Sequence, residues 1–142
     1  MFPDPTVRWI DYPSQIDGIS RPPFVFDLGI HRGVLRLVVS PPGGGAGKHF
    51  RIEIDCQMYL GVEEMIYSIA EHGGASYGGQ VYVKQATVSS MLDFWQATDP
   101  VERPAKHFLF VGGDFCYETL GLADPVIHAF KTEGEAYDWA RT

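Results

Sequence analysis

Glu53 and Asp55 stand two residues apart in the stretch His49 to Met58, HFRIEIDCQM. If that stretch is extended, their carboxylates project from one face about 7 Å apart. Two carboxylates so placed can divide acid and base work between them when a cleft makes their surroundings unequal. The same face carries Arg51 and Gln57. A charged stripe flanked by an arginine is the ordinary dress of a solvated sheet, so it reads as a contact face rather than a catalytic one.

The other reactive side chains are scattered. Of His31, His49, His72, His107 and His128, no two fall at i, i+2 on a strand or i, i+4 on a helix, and Cys-x-x-Cys is absent. Local spacing therefore supports no metal site. His49 and His107 each open a strand, a position where histidines are commonly solvated. Cys56 and Cys116 lie in apolar runs and read as small hydrophobes. Gly-x-Ser-x-Gly is missing, and no Ser-His-Asp grouping is legible from local motifs. The expectation is no catalytic residue, no metal and no cofactor.

SPPGGGAGKHF, residues 40–50, has the look of a phosphate-cradling loop. The motif requires Gly, four residues, then Gly-Lys-Ser/Thr. Pro42 occupies the first glycine position and His49 the hydroxyl position. A strand follows instead of a helix, so no helix N-terminus would meet a phosphate. The segment is expected to be a hairpin loop.

The elements that position these residues can be read from periodicity. In HFRIEIDCQM, Phe50, Ile52, Ile54 and Cys56 alternate with Arg51, Glu53, Asp55 and Gln57, which predicts a strand with one buried and one wetted face. Phe24–Leu28 and Arg32–Ser40 also read as strands, the second pairing with His49–Met58. Val62, Met65, Ile66 and Ile69 recur at helical spacing and predict a helix from Val62 to about Glu71.

Gln80–Ala86 reads as a strand. Ser89–Ala97 reads as a helix capped by Thr87 or Ser89, with Val88, Met91, Leu92 and Trp95 inward. KHFLFVGGDFCYETLG predicts a second hairpin turning tightly at Gly112-Gly113. Pro125–Phe130 is a short strand, and Thr132 with Glu135 forms the capping box of a last helix.

These elements predict an α+β fold: a single curved, mainly antiparallel sheet with two or three helices packed on it. Residues 1–23, with five prolines, form an N-terminal arm on the body, and residues 24–142 form one α+β domain.

Composition narrows the function. The chain has 142 residues and a net charge of −7, spread along its length. Such a balance repels phosphate backbones and disfavours nucleic acid, while it suits a basic protein partner. The opening MFPDPTVRWID has no apolar run of signal-peptide length, and no window is apolar enough to span a membrane, so a cytoplasmic location is expected.

The sequence thus points to a non-enzymatic protein-binding module of inhibitor or immunity type. Its acidic, aromatic surface would be Arg51, Glu53, Asp55, Gln57, Tyr59, Asp114 and Glu118. The alternative is a small enzyme or ligand-binding domain with a pocket between sheet and helices.

Overall fold

The computed structural model describes residues 6–19, 22–42, 48–63 and 81–138. Among these residues the chain forms nine strands and two short helices. They are β1 (Arg8–Asp11), β2 (Phe24–His31), β3 (Val34–Ser40), β4 (His49–Asp55), β5 (Met58–Glu63), β6 (Val83–Val88), α1 (Ser90–Thr98), β7 (Lys106–Phe110), β8 (Phe115–Gly121), β9 (Val126–Phe130) and α2 (Glu133–Tyr137).

The strands make two antiparallel sheets. One is ordered β1-β6-β7-β8-β5 and the other β2-β3-β4-β9. This overturns the expected single sheet carrying two or three helices, since the architecture is mainly β. Part of the reason lies at Val62 and Glu63. Both were read as the start of a helix, yet they belong to β5 and pair with Cys116 and Phe115 of β8. Residues 64–71 of that expected helix lie outside the described residues.

The rest of the reason lies between Cys56 and Gln57. The Cys56 amide donates to Gly33 O, beside the four-stranded sheet, whereas the next amide, of Gln57, donates to Leu120 O in β8. The chain changes sheets within one peptide unit. Alternation predicts one strand running through this point from His49 to Met58 and carries no mark of the switch.

Both expected hairpins form: β3 pairs antiparallel with β4, residues 43–47 of the intervening loop lying outside the described residues, and β7 pairs antiparallel with β8. A third, which the sequence reading does not include, joins β2 to β3. His31 pairs with Val34 around Arg32-Gly33, whose φ values of 53° and 78° are both positive, as a two-residue primed turn demands. At the second hairpin, four residues, 111–114, separate β7 from β8. Gly112 is required there for close approach, because a Cβ would come within 2.2 Å of Phe115 O.

β2 lies at the margin of its sheet, and its pairing with β3 slips between Asp27 and Ile30. Gly29 (φ +82°) makes the slip feasible, and its amide donates to Asp27 Oδ1 at 2.5 Å. β1, from the proline-rich arm, lines the margin of the other sheet, paired with β6.

The core sits between the sheets. Leu35, Leu37 and Val39 pair with Ile54, Ile52 and Phe50, and these six join Val83, Phe108 and Phe110 in one buried cluster. Period two in β4 thus turns Phe50, Ile52 and Ile54 inward as expected. The opposite face is not fully wetted, however. α2 packs against β3, β4 and β9, and Arg51 is 0% exposed.

Candidate functional site

The structure distributes the seven residues of the expected contact surface over both sheets and their turns. Arg51, Glu53 and Asp55 are on β4, Tyr59 is on β5 and Glu118 is on β8. Gln57 is exposed, Glu53, Asp55, Tyr59 and Asp114 are half-buried, and Arg51 and Glu118 are buried. Of the seven, only Arg51 and Glu53 share an ion pair, at 3.9 Å.

Glu53 is a junction. Its Oε2 accepts from Arg36 Nε at 2.7 Å, and its Oε1 lies 3.0 Å from His128 Nε2. Register explains the meeting, since Arg36 is directly opposite Glu53 on β3 and His128 is diagonal to it on β9. Burial pushes the Glu53 carboxyl up, but the bonds from Arg36 and His128 outweigh it and hold the carboxyl below its ordinary value. A carboxylate tied on both oxygens is a structural tie across three strands.

Arg51 serves α2. Its Nη1 donates to Asp138 O at 2.6 Å, next to the helix C-terminus, and its guanidinium lies 5.1 Å from the Phe130 ring centroid. Tyr59 donates its hydroxyl to Asp27 Oδ2 at 2.9 Å, linking β5 to β2. Asp114 accepts from its neighbour Phe115 N and from Val25 N. Three of the chosen acids and aromatics are thus spent on holding the two sheets and their turns.

A different grouping is chemically organised. His107 Nδ1 lies 2.8 Å from Ser89 Oγ, and His107 Nε2 lies 2.7 Å from Glu118 Oε1. Ser89 and His107 are each 1% exposed and Glu118 is 4% exposed. By strand alternation His107 faces away from Phe108, on the side of its sheet opposite the other sheet. The Trp9 ring meets the imidazole edge-on at 4.9 Å. A solvated strand-opening histidine is the sequence expectation here, but the ring is buried, with Trp9, Ser89 and Glu118 against it.

With Glu118 ionised, it can only accept, so Nε2 carries the proton and Nδ1 accepts from the Ser89 hydroxyl. Ser89 is also the N-cap of α1, where its Oγ accepts from Leu92 N at 3.1 Å.

Ser89 lines a cleft of about 630 Å³. Thr87, Val88 and Ser89 close one side, Leu92, Asp93, Trp95 and Gln96 of α1 another, and residues 102–105 the third. The cleft exists because α1 has no buried residue, although Leu92 touches the core. Val88, expected on the inner face, is 51% exposed.

The third wall is rigid. Buried Asp99 accepts from Val101 N, Arg103 N and Arg103 Nε. Burial raises its carboxyl, but those bonds prevail and hold it below its ordinary value. Trp95 Nε1 donates to Arg103 O, the Arg103 guanidinium lies 5.3 Å from the Trp95 ring centroid, and Glu102 is held at φ 53°. Positive φ in a glutamate is uncommon and costs energy.

No family model, curated protein or solved structure matches this chain. The functional reading therefore rests on the chain's own geometry. Among the described residues, no three His, Cys, Asp or Glu side chains are grouped to hold a metal ion, and no helix is long and apolar enough to cross a membrane.

Ser89, His107 and Glu118 come from three elements, at separations of 18 and 11 residues. No local motif announces them. The available signal was two titratable residues, His107 and Glu118, embedded in otherwise apolar strands, where a charge must find a partner.

Proposed function

We propose that the chain is a small ligand-binding domain whose site is the cleft beside α1. The observation that carries this reading is the stand-off of that helix. An amphipathic helix ordinarily fills the space against its sheet, whereas α1 buries none of its residues and leaves about 630 Å³ next to it. That volume falls within the usual range for small-molecule sites, roughly 300–1,000 Å³.

The lining selects a ligand class. Val88, Leu92, Trp95, Pro104 and Ala105 offer apolar surface, while Asp93 and Glu102 add negative charge. Arg103 is already paired with Asp99. A neutral or cationic molecule with an apolar body fits this balance, and an anion does not.

Nile red, neutral and apolar, tests the reading. It should brighten on the wild-type protein and bind about tenfold more weakly to Ala105→Trp, which fills the cleft. Equal binding by both proteins, with equal thermal stability, would sink it.

A protein-binding role of inhibitor or immunity type is the second reading. The net charge of −7 favours it, as do the exposed side chains Phe24, Phe26 and Ile30 on marginal strand β2. Its partner would be basic, and replacing Phe24 and Phe26 with lysine should abolish capture from a host lysate at low salt. Unchanged capture would count against it.

A further inference from the structure

Resting on the cleft as the ligand site, we propose that Ser89 is a nucleophile that cleaves neutral carboxylic esters, with His107 as its general base and Glu118 as the residue that positions His107. Three observations converge. The hydroxyl lies 2.8 Å from the imidazole nitrogen that accepts its proton. The other imidazole nitrogen is fixed 2.7 Å from a buried carboxylate. Ser89 itself lines the cleft.

A serine hydroxyl becomes nucleophilic when a base stands within hydrogen-bond reach and a third group orients the base. Geometry and roles define such a unit, and the order of residues in the chain does not. Here Nδ1 faces the serine and Nε2 faces the carboxylate. Either nitrogen can serve as base, because an imidazole accepts at one nitrogen while the other carries its proton.

Ser89 Oγ attacks the ester carbonyl carbon and forms a C–O bond while its proton passes to His107 Nδ1. The carbonyl electron pair moves onto oxygen, then returns as the bond to the alcohol breaks, and His107 gives its proton to the departing alkoxide. Water repeats the sequence on the acyl-serine, releasing the acid and restoring the hydroxyl.

Ser89 is almost covered, so a substrate must gain access to Oγ. α1 is the wall that yields most readily, since none of its residues is buried. The cleft carboxylates Asp93 and Glu102 then favour a neutral ester over an anionic one and repel the acid product.

The test uses p-nitrophenyl acetate, a fluorophosphonate label and Nile red on the same preparations. Wild-type protein should hydrolyse the ester and take the label at Ser89, located by peptide mass spectrometry. Ser89→Asn keeps a helix cap but has no nucleophile, and should remain folded while losing hydrolysis about 100-fold and all labelling. Glu118→Gln should lower kcat with KM and thermal stability unchanged, and Glu118→Asp should recover part of it. A Glu118 that only supports the fold would lower stability and leave kcat of the folded protein in place. Nile red binding with Ser89 unlabelled overturns the nucleophile and spares the cleft. Failure of both overturns the cleft as well.

Discussion

His107 Nε2 lies 2.7 Å from Glu118 Oε1, and both side chains are out of water. A hydrogen bond to an ionised partner in such a place is stronger than an average one, and its loss leaves a charge in a poor environment. His107→Leu should therefore lower stability by about 2 kcal/mol. Urea unfolding measures it.

Glu53 ties stability to pH. Burial raises its carboxyl, but the Arg36 and His128 bonds and the charges of Arg36 and Arg51 hold it below the ordinary 4.5. A group with a depressed folded pKa stabilises above its unfolded pKa and loses that contribution as pH falls through the folded value. Glu53→Gln should thus be the less stable protein at neutral pH and converge on wild type below 4.5. Urea midpoints across that range would show whether the two curves meet.

Arg51→Ala removes the guanidinium that holds Asp138 O and Ala136 O and lies against Phe130. The expected cost is about 3 kcal/mol, combining a charged hydrogen bond with lost packing. Amide exchange in α2 should speed up in the variant. Arg51→Met, which keeps most of the stem, should recover part of the stability and none of the protection of α2.

Cys56 is buried, and its thiol is pushed up to about 11, first by burial and then by the charge of Asp55. Its thiolate population should be about 100-fold below that of an unfolded cysteine. Iodoacetamide followed by peptide mass spectrometry should find Cys56 unmodified in the native protein and modified in urea. Rapid native labelling would contradict the burial.

Gly121→Ala should be severe, by about 3 kcal/mol or more. A Cβ at this position would come within 1.7 Å of Asp55 O, where β4 ends against β8. Backbone on both sides leaves nothing that can swing aside. A variant that expresses and melts like wild type would mean that the two sheets do not approach each other there.

Much of the fold was legible because it is local. Alternation found β4, a β-branched apolar run found β3, and a Gly-Gly pair between aromatic-rich runs found β7 and β8. Hydroxyl position narrowed the first cap to Thr87 or Ser89, of which Ser89 accepts from Leu92 N, and found Thr132, which accepts from Glu135 N. Tertiary partners were not legible. The same i, i+3, i+4 apolar spacing at Val62 is satisfied by a strand once β8 lies beside it. Arg51, Glu53 and Glu118 look solvated in sequence because charge normally is, whereas α2, β9 and His107 supply enough partners to draw them inward. Ser89 was recognised for its cap, and its second partner, His107, is invisible until β6 and β7 are paired.

The slip in β2 at Asp27 and Ile30 bears on how the molecule behaves in a crowd. Phe24, Phe26 and Ile30 make this rim greasy, and a greasy rim invites another copy to zip alongside. A kinked rim spoils the fit partway, since amides beyond the kink no longer fall opposite acceptors on a straight neighbour. Straightening it by deleting Gly29 should raise the tendency to form fibrils over that of the parent protein, as thioflavin T fluorescence would read.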